Sequence, residues 1–276
     1  MTRVFLAVDI EGIAGVVHVD EGSPENPEYE RARRLMTNEA SAVVAGIFDA
    51  DSTAEVTVAD VHGPYRNMIP ELLDERATLL RGKPRHFGMM DGIDDGEYDV
   101  AMFIGVHGKA GSDDSVLSHT FTGSILDVVV NGQSWGELGL NSAMAGAFGV
   151  PVVLVAGDQS VVAETAGIFG LGMPTVQVKK SRAHLASESL HPNVACRLLR
   201  EAAADVIMNP PGIGPLVVES PVTVEVTLNR PVLADLVAML DNVERIDGRT
   251  IRFTRDDFPN VYRILRLITV LCSAPV

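Results

Sequence analysis

A 276-residue chain with a net charge of −15 has no excess of Lys and Arg to offer a nucleic acid backbone, and the same deficit disfavours an anionic membrane surface. Apolar residues at 46% and charged residues at 21% are ordinary for a globular protein, one large α/β domain or two smaller ones, able to bury a core. Cys196 and Cys272 both sit in apolar helical patterns, so they read as reduced core thiols of a cytoplasmic protein.

Val4–Val8 is a short continuous apolar run ending at Asp9, the pattern of a strand covered on both faces and too short for a signal peptide or membrane span. From Tyr29 to Ala50 apolar residues recur at helical spacing. Glu55–Ala59 reads as a second strand, stopped by Asp60-Val61-His62-Gly63-Pro64. A short helix near Met68–Leu73 and a strand at Ala77–Leu80 follow. Val100–Val106 is a third buried strand and Ser124–Val130 a fourth, with Asn131-Gly132 predicting a hairpin. A helix is expected over Gly136–Phe148, a strand over Pro151–Ala156, a helix over Ser160–Phe169 and an extended segment over Thr175–Val178.

A helix over Pro192–Met208 precedes the Pro/Gly-rich break at Asn209–Pro215. Val222–Leu228 alternates strictly, which suits an antiparallel strand with one wetter face. Residues 231–241 read as helical, 243–253 as extended and 256–273 as helical again. The predicted architecture is α/β, with a mostly parallel central sheet flanked by helices and a smaller α+β C-terminal part. The break divides the chain into a catalytic segment at 1–208 and a smaller segment at 209–276.

Chemistry-bearing residues gather at the strand ends. Asp9, His62 and His107 each follow a predicted parallel strand, and such ends share one edge of the sheet. Glu11 reaches the same edge if the chain bends at Gly12, and Glu137 opens a helix whose dipole favours a carboxylate. Singly, Asp9 could cap a loop, Glu11 could be a solvated carboxylate, His62 a turn residue, and Glu137 a helix-end charge. Jointly they form a mixed carboxylate–imidazole set suited to zinc or a similar divalent ion. Charge balance favours two ions: two divalent ions with one hydroxide neutralise three carboxylates, whereas one ion leaves the site negative. Asp9 or Glu11 could bridge the pair.

Other motifs are weaker. Glu11-Gly12-Ile13-Ala14-Gly15 lacks the full dinucleotide-binding pattern, and its carboxylates would repel a pyrophosphate. Ser112 and Ser118 lack a nucleophile elbow. His18, His86, His184 and His191 lack a ligand-like setting, and His191 before Pro192 fits a helix start.

Ala7-Val8-Asp9-Ile10-Glu11-Gly12-Ile13-Ala14-Gly15, Asp60-Val61-His62, Gly105-Val106-His107, Leu117-Ser118-His119, Gly136-Glu137-Leu138-Gly139-Leu140-Asn141 and Val155-Ala156-Gly157-Asp158 resemble the zinc-dependent D-aminopeptidases of the bacterial dipeptide-transport operon type. The resemblance covers most of the chain and loosens after Met208. It implies a dinuclear zinc site, with one ion on Asp9, Glu11 and His62, the other on Asp9, His107 and Glu137, and Asp9 bridging. The position matching His119 is that family's proposed nucleophile; on chemistry alone His119 is equally a general acid–base. Also implied are removal of an N-terminal D-amino acid such as D-Ala from short peptides, and a homodecamer. Asp113 and Asp114 could attract a substrate ammonium or be solvated turn residues. The alternatives are a metal-dependent amidase or phosphoesterase with another small substrate, or a non-catalytic peptide-binding relative.

Overall fold

The computed structural model describes residues 1–273. The chain opens with β1 (Arg3–Val8), α1 (Tyr29–Ala50), β2 (Glu55–Asp60), β3 (Thr78–Leu80) and β4 (Val100–Val106). A hairpin of β5 (Ile125–Val130) and β6 (Gln133–Ser134) precedes α2 (Glu137–Ala147), β7 (Val152–Asp158), α3 (Gln159–Phe169), β8 (Thr175–Ala183) and β9 (Ala186–Ser189). After α4 (Pro192–Met208) come β10 (Val222–Leu228), α5 (Pro231–Val237), β11 (Val243–Arg245), β12 (Thr250–Arg255) and α6 (Phe258–Cys272).

Seven strands form one sheet in the order β3-β2-β1-β4-β7-β8-β9, parallel except for the terminal β8–β9 pair. This is the expected mostly parallel α/β sheet. Period-two alternation along β1 sends Val4, Leu6 and Val8 to one face and Phe5 and Ala7 to the other. The first set packs with α1 and α4, the second with α2, α6 and the smaller sheet. α1 and α4 lie close because Gly46 has no side chain; a Cβ there would sit 2.1 Å from the Arg200 carbonyl oxygen.

The smaller sheet is antiparallel, ordered β11-β12-β10-β5-β6. β10 buries alternate residues, as its sequence predicts. Two of the five strands, β5 and β6, come from the segment before residue 209, so the sheet spans the 208/209 division.

The chain builds outward from β1 to β2 and β3, then returns to β4 on the opposite side of β1. That reversal opens a crevice between the carboxyl ends of β1 and β4, where open α/β sheets bind ligands. The loop after β1 bends into it, with Gly12 N–H donating to the Gly105 carbonyl at 2.7 Å. A Cβ on Gly12 would lie 2.0 Å from the Val106 oxygen, and one on Gly105 (φ +67°) 2.1 Å from the Asp9 oxygen. We predict that Gly105→Ala destabilises the fold by about 3 kcal/mol or more, because backbone must move and a left-handed residue is strained. Urea unfolding measures it, and a loss below about 1 kcal/mol would show that the loop moves aside freely.

Candidate metal centre

Each ligand-type side chain is held by its own backbone device. Asp9 lies one residue beyond β1, where its N–H still donates to Ile104 O at 2.9 Å. The following loop is clamped from inside by Lys179 of β8. Its buried ammonium donates to the carbonyls of Glu11, Ile13 (3.2 Å) and Val16 (2.6 Å). Glu39 of α1 holds the same loop by accepting from Ala14 N–H at 2.9 Å. These contacts fix the backbone from which Glu11 projects.

His62 rides on a loop organised by buried Asp60. That carboxylate accepts from the backbone N–H groups of Asn67 and Met68 at 2.6 and 2.8 Å, and from the Asn67 amide at 2.7 Å. His107 lies one residue beyond β4, and the loop after it is tied to Asp158, which accepts from Ser115 Oγ and Val116 N at 2.8 and 2.9 Å. His119 stands between two left-handed non-glycine residues, Leu117 (φ +56°) and Phe121 (φ +59°), a strained presentation of the kind that collects at functional sites. Glu137 is the first residue of α2, and its Oε1 accepts from Phe121 N at 2.7 Å.

All three imidazoles follow one rule: one ring nitrogen donates to a backbone carbonyl and the other faces carboxylates. His62 Nε2 donates to Gly22 O at 3.0 Å, leaving Nδ1 at 2.9 Å from Glu11 and 3.2 Å from Asp9. His107 Nδ1 donates to Gly108 O at 3.0 Å, and Nε2 lies 3.6 Å from Glu137 and 3.8 Å from Asp9. His119 Nδ1 donates to Leu117 O at 2.8 Å, and Nε2 lies 3.8 Å from Glu137 and 3.9 Å from Glu11. The His107 and His119 rings stack with centroids 4.2 Å apart. A carbonyl behind each imidazole is what fixes the tautomer of a metal-binding histidine.

Three triads bring ligand atoms within 4.8 Å of one another: Asp9–Glu11–His62, Asp9–His107–Glu137 and Glu11–His107–His119. Asp9 belongs to the first two. The nitrogen and oxygen donors suit zinc, and their electrostatics call for positive charge. Burial and the neighbouring Glu11 push Asp9 up to about 7. Burial also raises Glu137, partly offset by His119. Burial opposes the charge of His62, yet Glu11 and Asp9 lift its imidazole well above the ordinary value. Glu11 is in turn held well below the usual carboxylate range by His62, against the effect of burial.

The cluster opens into a cavity of about 430 Å³, reached by Asp9, Glu11, His62, His119 and Glu137, a size usual for small-molecule sites. His107 is buried behind it. A second cavity of about 500 Å³ touches Glu11, His62 and His119 from the other side and is lined also by His18 and His184. His18 caps a short helical turn and His191 caps α4. Asp113 and Asp114 are exposed and line neither cavity. The six residues singled out from the sequence thus converge. Lys179 escaped the sequence reading because a register shift opposite Asp158 turns it inward, out of phase with the strand's alternation. Glu39 was detectable, as a carboxylate between Met36 and Val43 on the apolar face of α1.

A buried donor set of this kind, at the carboxyl edge of a parallel sheet and open to a small-molecule cavity, defines a metal-dependent hydrolase. The profile of the D-aminopeptidase family matches residues 2–267, and the chain belongs to that family. The D-aminopeptidase of Bacillus subtilis (strain 168) is 32% identical over 273 residues, covering 98% of this chain and 97% of the relative. A solved structure, described as the Zn-dependent D-aminopeptidase of Bacillus subtilis and a self-compartmentalizing protease, is similar with a TM-score of 0.95. It covers 99% of both chains at 29% identity.

Glu39 gives a pH-dependent prediction away from the ligands themselves. Burial pushes its carboxyl up to about 7, and among the described residues Oε2 has no hydrogen-bond partner. A folded-state value raised above the unfolded one favours the fold below the unfolded value, and that contribution disappears as pH rises through the folded value. Glu39→Gln should therefore gain stability relative to the parent as pH rises from about 4.5 to 7. Thermal unfolding across that range tests it; a pH-independent difference between the two proteins refutes it.

Proposed function

We propose that this chain is a dinuclear zinc aminopeptidase that removes an N-terminal D-amino acid, such as D-Ala, from short peptides. The observation that carries the reading is the position of Asp9, common to two compact donor triads. One ion would be held by Asp9, Glu11 and His62, the other by Asp9, His107 and Glu137. The D-aminopeptidase activity by which both relatives are named, and the zinc dependence of one, support the assignment. When bound, paired divalent ions supply Lewis acidity and a water acidified enough to react at neutral pH.

The chain's own residues do the rest. His119 Nε2 faces the cavity side of the cluster, while its Nδ1 is committed to Leu117 O. Nε2 is therefore the atom that exchanges a proton with the substrate. An imidazole so placed can deliver a proton to the leaving amine. Deep burial of Asp9, His107 and Glu137 keeps bulk water from the inner face of the cluster.

The assignment extends to a cytoplasmic homo-oligomer, a decamer by family resemblance. Among the described residues no helix is long and apolar enough to cross a membrane, and both cysteines are free thiols. The description of one relative as self-compartmentalizing supports an assembly.

Zinc-loaded protein should cleave D-Ala-D-Ala and not L-Ala-L-Ala, and a chelator should abolish the cleavage. Cleavage of neither, with two metals per chain confirmed, would make the substrate assignment wrong. His119→Ala should lower kcat by about 10²–10⁴-fold with metals still bound, and near-parental turnover would remove His119 from the mechanism.

A further inference from the structure

The cavity over the ligand cluster has a second, oppositely charged end. There it is walled by Lys83, by Arg266 of α6 and by Tyr65. Three cations gather on that one phenol ring. The Lys83 ammonium lies 4.6 Å from the ring centroid, the Arg85 guanidinium 4.7 Å and the Arg266 guanidinium 6.0 Å. The Tyr65 hydroxyl is pushed up to about 12 by burial; it senses Arg266 and Arg85 on one side and Glu137 and Asp9 on the other. Tyr65 itself is held at φ +57°, another left-handed residue at this site.

Cations so placed repel one another. Burial, then Arg266 and Arg85, lower the Lys83 ammonium from its ordinary value. Among the described residues, however, none of the three is in an ion pair. Arg85 donates to two backbone carbonyls, Asp60 O and Leu80 O. Among the described residues, the buried Arg266 Nε has no hydrogen-bond partner. Its position is built in: Gly88 lies against it, and a Cβ there would sit 2.3 Å from Nε. Lys83 is exposed and Arg266 half-buried, so the two cations wall the cavity within reach of solvent and are open to an incoming anion.

We propose that Lys83 and Arg266 bind the C-terminal carboxylate of the substrate peptide, so that the enzyme selects short peptides with a free acid end. The inference rests on the aminopeptidase reading above and deepens it. A short peptide with its scissile bond at the ligand cluster directs its leaving portion along the cavity, and its carboxylate meets the cations at the far wall. The planar fork of Arg266 matches a carboxylate and Lys83 adds a point charge. A C-terminal amide leaves both unpaired.

The test compares D-Ala-D-Ala with its C-terminal amide on zinc-loaded enzyme, for the parent, Arg266→Gln and Arg266→Lys. We expect kcat/KM for the acid to exceed that for the amide by about ten- to a hundredfold, the range of lost charged hydrogen bonds. Arg266→Gln should bring the ratio close to one by raising KM for the acid, and Arg266→Lys should restore part of it. Because the ratio is taken within one protein preparation, misfolding cancels from it. Equal cleavage of acid and amide by the parent, or a parental ratio in Arg266→Gln, overturns the carboxylate site and leaves the aminopeptidase reading intact. Cleavage of neither compound by the parent removes both.

Discussion

Three carboxylates and three imidazoles are gathered in a mostly buried space at one edge of a parallel sheet, and the surrounding structure answers the electrostatic problem they set. Removing an ionised carboxylate from water costs several kcal/mol even after the protein relaxes. No single neighbour offsets that for Asp9, Glu11 and Glu137 together. What the fold supplies is orientation. Backbone carbonyls of Gly22, Gly108 and Leu117 each hold one imidazole nitrogen, so the opposite nitrogens face inward. Two divalent cations complete such a cluster in a way that side chains alone do not.

The backbone around the cluster is correspondingly tight. Val106 O is approached by two glycines, since a Cβ on either Gly12 or Gly157 would lie 2.0 Å away. The β4–β7 ladder shifts register just before this point, which frees the end of β4 to deliver His107 above the sheet. Lys179 reaches across from β8 and gathers three carbonyls of the β1 loop. An ammonium suits this role, since it offers three donors and no acceptor. Its charge is tempered by burial, which brings it down to about 8.

The long helices and buried strands were legible because their apolar period is unbroken; Tyr29–Ala50 and Pro192–Met208 match the observed helices residue for residue. The expected extended run over 243–253 is instead a hairpin of β11 and β12. Asp247 turns the chain there by accepting from Arg249 and Thr250 N–H, both at 2.7 Å, a signal present in Asp247-Gly248 and overridden by the flanking apolar residues. The helix expected over 231–241 ends at Val237. Strand β9 carries no apolar alternation, being exposed on most positions, and so left no trace. Ligand-type residues were visible because strand ends announce themselves locally. Lys83 and Arg266 lie 183 residues apart in a chain with many other basic positions, and nothing local marks them as neighbours.

The order in which the cluster's parts occur along the chain sets when it can exist. Asp9 and Glu11 are among the first residues made, yet their partners stand at 62, 107 and 137, the ammonium that fixes their loop at 179, and the guanidinium of the cavity wall at 266. The two earliest carboxylates thus precede every other ligand-type residue of the finished site. The donor set is complete only once Glu137 has been made, and the clamp on the Glu11 loop only once Lys179 has. A chain cut short before β8 therefore carries every ligand without the ammonium that holds the Glu11 loop in place.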